Sequence, residues 1–310
     1  MEDEIFTFIV SDEESGQRLD SFLAQKLDNI SRSRVAKLLD EERVSPFRKA
    51  SYKVCAGEEY CVSIPPAIPL DVVPEDIPLD ILYEDSDVIV VNKPKGMVVH
   101  PDNTHITGTM VNALLYHCHD LSGIGGVMRP GIVHRIDMDT TGAVIACKND
   151  LAHESIAAQL KAHTINRKYI AIVNGNLKND EGVIDAPLGR STKDRKKIAV
   201  VAGGKRAVTH YKVLERFKGF TMAECVLETG RTHQIRVHMA HIGHSLLGDE
   251  VYGNPNVNKR FKELKGQCLH AMTLGFLHPV TGEYIETNAP LPEYFEKLIE
   301  KLRNQSVKLM

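Results

Sequence analysis

The sequence predicts an α+β protein, with a mixed, largely antiparallel sheet in its larger part and a small α/β module at the N-terminus. Three observations carry this. Several strand-like runs follow one another with no helical pattern between them, which disfavours a doubly wound parallel sheet. Residues 65–78 hold five prolines in fourteen positions, a composition that suits neither a central strand nor a helix and reads as a stiff extended connection. The chain has 310 residues, about two domains at roughly 150 residues each. These place a small module at 1–64, a linker at 65–78 and the main domain at 79–310.

The module opens on an acidic lead-in of Glu2, Asp3, Glu4, Asp12, Glu13 and Glu14. Over 18–40, Leu19, Phe22, Leu23 and Leu27 recur at helical spacing. Val35, Leu38 and Leu39 do so again, which predicts two short helices. Between them Ser31-Arg32-Ser33-Arg34 offers a serine cap and exposed cations at a helix start. Tyr60, Val62 and Ile64 alternate as a strand does. Beyond the linker, strands are expected at 88–91, 143–147, 169–173, 208–214 and 222–227, with helices near 152–163 and 232–242. A last helix follows Leu291-Pro292 and carries Tyr294, Phe295, Leu298, Ile299 and Leu302.

With 43% hydrophobic and 25% charged residues the chain is neither disordered nor fibrous. Its net charge is −3, so any affinity for polyanions must rest on local patches. An absence of Trp and 6% aromatic content argue against an aromatic cage. No apolar run opens the chain and none approaches the ~18 residues of a membrane span, so a cytoplasmic, membrane-free protein is expected. The six cysteines show no C-x-x-C pairing and read as reduced thiols. His117-Cys118-His119 and the set His233, His238, His241 and His244 lack an H-E-x-x-H context, so no metal is expected. Gly123-Ile-Gly-Gly126 lacks the strand-before, helix-after setting of a phosphate loop. Nothing demands more than a monomer.

Three clusters carry chemistry. Residues 130–142 pack His134, Arg135, Asp137, Asp139, Thr140 and Thr141 between two apolar runs. A carboxylate beside an arginine is kept ionised, which suits a nucleophile or general base; a tight turn whose Asp and Thr groups bond local backbone explains the same residues. Thr229-Gly-Arg231-Thr-His-Gln-Ile-Arg236-Val-His238 sets two guanidiniums about a helix start. They can hold phosphates or a buried carboxylate, or form a solvated cationic face. Arg190, Lys193, Arg195, Lys196, Lys197, Lys205, Arg206 and Lys212 face one Asp between 190 and 212. Such a basic loop is the footprint of a surface that contacts a nucleic-acid backbone.

Asn92-Lys-Pro-Lys-Gly96 with His100-Pro101, then Gly131-Ile-Val-His-Arg-Ile-Asp137-Met-Asp-Thr-Thr-Gly142, Arg167-Lys-Tyr169 and Gly230-Arg-Thr-His-Gln-Ile-Arg236, closely resemble the RluA/RluD-type pseudouridine synthases in order and spacing. Residues 18–64 are similar, more weakly, to a small RNA-binding domain first named from a small-subunit ribosomal protein. There the family's usual turn is replaced by Val44-Ser-Pro-Phe47.

The resemblance implies the pseudouridine synthase fold and a cofactor-independent isomerisation of uridine to pseudouridine in RNA, with large-subunit (23S) ribosomal RNA as the partner. It implies Asp137 as the catalytic carboxylate, acting at the ribose anomeric carbon or on a ribose proton. Arg236 would pair with Asp137, Tyr169 would stack on the uracil, Arg135 would fill the space of the extruded base, and His134 would contact the RNA beside it. Arg231, Lys193, Arg195, Lys196 and Lys197 would hold phosphates, and Arg32 and Arg34 would hold RNA on the module. Asp139 would support the turn. The rivals are a transfer-RNA substrate, a non-catalytic ribosome-assembly factor that keeps the fold, and a hydrolase that releases uracil.

Overall fold

A computed structural model describes residues 3–27, 32–64, 72–102, 104–118, 121–123 and 130–307. Ser31, His119, residues 124–126 of the glycine run and the side chain of Arg34 fall outside the described residues. The chain packs as two units, 1–69 and 70–310.

The first unit comprises β1 (Glu4–Ile9), α1 (Leu19–Lys26), α2 (Arg32–Asp40), β2 (Val44–Ser45) and β3 (Glu59–Ile64). The strands form an antiparallel sheet in the order β1-β3-β2, so the unit is α+β. Leu19, Phe22 and Leu23 of α1 join Val35, Leu38 and Leu39 of α2 against Tyr60 and Val62. The acidic lead-in is corrected: Glu4–Ile9 is a strand paired along its length with β3. It escaped pattern reading because five of its six residues are exposed, which leaves no apolar alternation.

The second unit runs β4 (Ile81–Glu84), β5 (Val88–Lys93), α3 (Met110–His117), β6 (Thr141–Cys147), α4 (Asp150–Ala162), β7 (Asn166–Asn174), β8 (Glu181–Asp185), β9 (Leu188–Arg190), β10 (Ile198–Val200), β11 (Val208–Phe217), β12 (Phe220–Leu227), α5 (Gln234–His241), α6 (Pro255–Asn258), β13 (Leu269–Leu277), β14 (Tyr284–Asn288) and α7 (Glu293–Val307). The main sheet is ordered β4-β5-β6-β13-β7-β12-β11-β8, with β14 on β13. Every pairing is antiparallel except β6 with β13.

Helices on both faces explain why β5 and β6 read as unbroken apolar runs. On one face Ile89, Val91, Val144 and Ala171 pack against Met110 and Leu114 of α3 and against Ile235 and Met239 of α5. On the other, Val88, Val90 and Ile145 meet Ala152 and Ile156 of α4, while Ile170 and Ile172 meet Phe295, Leu298 and Leu302 of α7. The second half of the proline run is bonded to the rest of the larger unit, with Asn112 Nδ2 donating to the Val73 carbonyl at 2.8 Å and Glu75 N to the Asn112 carbonyl at 3.0 Å. A stiff chain with few internal bonds offers its free carbonyls to a neighbour.

Candidate active site

The Asp137 loop is hung from β6. Gly131 N–H donates to the Ser122 carbonyl, and Cys147 N–H donates back to the Gly131 carbonyl at 2.8 Å. Gly131 sits at φ +69, and a Cβ there would lie 2.6 Å from the Cys147 carbonyl oxygen, so only glycine fits. The strand edge continues with Ile132 opposite Ala146. His134 then closes the ladder with its side chain, Nε2 accepting from Ile145 N–H at 3.1 Å. Burial, then the charge of Arg167, pushes His134 down to about 3, so the neutral ring supplies that acceptor.

Next to Asp137, the Met138 carbonyl accepts from Lys93 Nζ at 2.9 Å and from Gly96 N–H at 3.0 Å. Lys93 is wholly buried and also donates to the Pro94 and Met97 carbonyls. All three ammonium protons are therefore used. Burial pushes its pKa down to about 7, with Asp139 and Asp137 pulling the other way. The Asn92–Gly96 motif is thus a bracket for the loop that carries Asp137. Asp139 packs under Gly266, and burial raises its pKa against the pull of Lys95 and Lys93.

The opposite wall is the turn into α5. Gln234 staples it: Oε1 accepts from Thr229 Oγ1 at 2.7 Å and from Arg231 N–H at 3.0 Å, while Nε2 donates to the Val208 carbonyl and Thr209 Oγ1. The helix begins at Gln234, two residues later than its apolar pattern suggests, because His233 takes the left-handed conformation at φ +54. That turn sets His233 Nδ1 2.8 Å from the Tyr252 hydroxyl and Nε2 3.8 Å from Asp137 Oδ1.

Arg236, in the first turn of α5, is the hub. Its Nη1 donates to Asp137 Oδ2 at 2.8 Å, and its Nε and Nη2 grip both oxygens of Asp249 at 2.7 and 2.9 Å. Burial works against the charged guanidinium, but the bonds and charges of Asp249 and Asp137 outweigh it and raise its pKa. Burial opposes Asp249 too, yet Arg236 holds its carboxylate below the ordinary range. A fork bonded on two sides cannot swing, so Arg236 fixes the direction of Asp137. The Tyr252 ring flanks the guanidinium, its centroid 5.2 Å away.

These residues line a cavity of about 530 Å³ that gathers His134, Arg135, Asp137, Tyr169, Arg231 and Arg236. Asp137 keeps 18% of its side chain exposed there, against 0% for Asp249. Tyr169 is buried on β7, and burial raises its phenol. Arg135 and Arg231 are exposed at the cavity, and Arg231 Nε donates to the Arg206 carbonyl. Lys193, Arg195, Lys196 and Lys197 do not line it; they are exposed between β9 and β10. Arg32 lies in the first unit, where it and Arg18 both bond Asp20.

Asp249, Tyr252, Lys93 and Arg167 went unassigned in the sequence. Asp249 sits in Leu247-Gly-Asp-Glu250 with no periodic pattern; the one available signal was that a buried arginine needs a counter-ion. Among the described residues, two groups of possible metal ligands, Asp85 with Asp87 and His278, and Glu84 with His117 and Cys118, contribute nothing to the cavity. In the first, His278 Nε2 and Asp85 already bond each other at 2.8 Å.

A sheet covered by helices on both faces carries a partly exposed carboxylate clamped in a cation-rimmed cleft, a site suited to a large anionic ligand. The chain belongs to the RNA pseudouridylate synthase family, whose description matches residues 87–241, and it is an RNA pseudouridine synthase of the RluA/RluD type. It is 53% identical over 296 residues to the "Uncharacterized RNA pseudouridine synthase YlyB" of Bacillus subtilis (strain 168), covering 94% of this chain and 96% of that protein. It is 46% identical over 305 residues to the "Ribosomal large subunit pseudouridine synthase D" of Zymomonas mobilis, covering 94% and 96% respectively. The solved structure of human RNA Pseudouridylate Synthase Domain Containing 1 superposes with a TM-score of 0.58 at 24% identity, covering 74% of this chain and 96% of that one. That likeness establishes the fold. Among the described residues no helix is long and apolar enough to cross a membrane.

Proposed function

We propose that this enzyme converts uridine to pseudouridine in large-subunit ribosomal RNA, with Asp137 as the catalytic carboxylate. The observation that carries the assignment is the clamp: Asp137 is the carboxylate that Arg236, itself locked on Asp249, presents to the cavity. The ribosomal substrate is supported by relatives that bear the name ribosomal large subunit pseudouridine synthase D.

In this reading Asp137 acts at the ribose while the target base lies over Tyr169. The base must leave its stack to enter, and the exposed Arg135 occupies the place it vacates. Arg231 and the β9–β10 cations hold phosphates, and the first unit adds RNA contacts through Arg32 and Arg34. Substrate and product are isomers, so the reaction consumes nothing.

The test is a pseudouridine map of ribosomal and transfer RNA from cells lacking the gene, read by carbodiimide-dependent primer stops. The expected result is one or more sites lost from large-subunit RNA and restored by the wild-type gene but not by Asp137→Asn. Loss confined to transfer RNA overturns the substrate, and an unchanged map overturns the proposal.

A further inference from the structure

Arg167 is a buried cation without an answering charge. It is 7% exposed, lines the cavity, and among the described residues its guanidinium makes no hydrogen bond or ion pair, its Nε being fully shielded. Lys93 and Arg236, buried in the same region, are bonded by three carbonyls and by two carboxylates. An isolated buried charge is unfavourable, so its retention points to a ligand that brings the opposite charge.

Its position says which part of the substrate that is. Arg167 and Tyr169 stand two residues apart on β7 and therefore face the same side of the sheet. Gly230 makes room for the guanidinium: a Cβ there would lie 2.6 Å from Nη1. The Tyr169 phenol feels both Arg167 and Asp137, with opposite sign. The carboxylate, the aromatic ring and the guanidinium therefore form one constellation. The phosphates of a polynucleotide stay at the rim, where Arg135 and Arg231 are exposed; the base is the part that enters.

We propose that Arg167 is a catalytic residue that contacts the target uracil and carries the negative charge the base acquires when it is detached. This rests on the reading of Asp137 and Tyr169 given above. When the N1–C1′ bond breaks, its electron pair stays with uracil and spreads over O2 and O4. The base then turns, C5 bonds C1′ with an electron pair of the ring, the proton on C5 leaves and N1 takes one up. The charge exists only between the two bond changes, so a fixed cation beside the base favours that stage over both ends. It also retains a leaving group that has no covalent tether.

The test is single-turnover tritium release from large-subunit RNA transcripts whose uridines carry tritium at C5 and either oxygen or sulfur at position 2 or 4. Arg167→Met is expected to slow release about 100-fold while RNA affinity stays within about two-fold. Sulfur at the contacted position should slow the wild type and add nothing further in the Met variant. Gly230→Ala keeps every charge but displaces the guanidinium; it should slow release about 10-fold, and it serves if the Met variant does not fold. Wild-type rates in both variants overturn the role of Arg167, as does a loss that lies wholly in RNA affinity with the sulfur penalty undiminished. A wild type that releases no tritium overturns the proposed function itself.

Discussion

Two cations beside the Asp137 loop, Arg236 and Lys93, are buried and bonded. Arg236 spends its fork on Asp249 and Asp137, and Lys93 gives every proton to a carbonyl. Between β9 and β10 the same residue types behave otherwise: Lys193, Arg195, Lys196 and Lys197 are exposed, and the bond from Lys197 Nζ to the Val251 carbonyl, at 3.2 Å, is long. Buried, doubly bonded cations fix the position of a reacting group; exposed ones contribute long-range attraction that salt screens. The two regions also touch, because the Tyr252 hydroxyl accepts from Ile198 N–H at 3.1 Å and meets His233 Nδ1 at 2.8 Å. The division of labour makes opposite kinetic predictions for the two sets.

The largest effect belongs to the carboxylate that the buried set serves. Asp137→Asn is expected to lower tritium release by at least about 1,000-fold with RNA affinity nearly unchanged. Turnover near the wild-type level would remove Asp137 from its role. Asp249→Asn comes next. It leaves Arg236 short of a partner inside the protein, so a stability loss of about 3–5 kcal/mol is expected in denaturant melts. A fall of about 10–100-fold in kcat should accompany it at temperatures where the variant is folded. A stable variant with normal kcat would show that Asp137 alone suffices to orient Arg236.

Much of the fold is legible in the sequence alone, and the gaps follow a pattern. The strands β5, β6, β7, β11 and β12 and the helices α4 and α7 announce themselves through local apolar runs and periods. The roles proposed for Asp137, Tyr169 and Arg236 rest on contiguous motifs. What stayed hidden depends on partners far along the chain. β1 is a strand only because β3, some fifty residues on, pairs with it. β13 slots between β6 and β7 in the sheet order. Asp249 matters through Arg236, and Lys93 through the Met138 carbonyl. His134 is expected to contact RNA, and the bond by which its Nε2 completes a strand edge at Ile145 has no mark in the sequence. Sequence pattern registers residue type and period; it does not register which buried group answers which.

Lys93 gives the comparison a pH signature. Its pKa is about 7 in the fold and about 10.4 in an unfolded chain. Between those values the unfolded state binds the extra proton, so this group makes stability rise with pH; below about 7 both states are protonated and the contribution is gone. Lys93→Met removes the slope and leaves three carbonyls unanswered, so it should be less stable at every pH. The stability gap between wild type and variant should widen by roughly 1–3 kcal/mol from pH 6 to pH 9 in paired denaturant melts. A constant gap would mean that the three carbonyls hold the ammonium charged throughout.

The smallest effect per residue is expected on the hairpin, and there the kinetic split is the informative quantity. Replacing Lys193, Arg195, Lys196 and Lys197 together by alanine removes four exposed cations and no residue of the cavity wall. If each contacts one phosphate of single-stranded RNA, the slope of log affinity against log salt should fall by about 3. The loss of affinity should be largest at low salt and fade as salt rises. At saturating RNA, kcat should stay within about two-fold of the wild type, because nothing that orients Asp137 has changed. A matching fall in kcat would instead mean that the hairpin acts through Ile198 and Tyr252 on His233 and Arg236. Tyr252→Phe separates the two, since it cuts that hydroxyl link and leaves the cations in place. A normal kcat in Tyr252→Phe beside a weakened, less salt-sensitive four-alanine variant would assign the hairpin to RNA attraction alone.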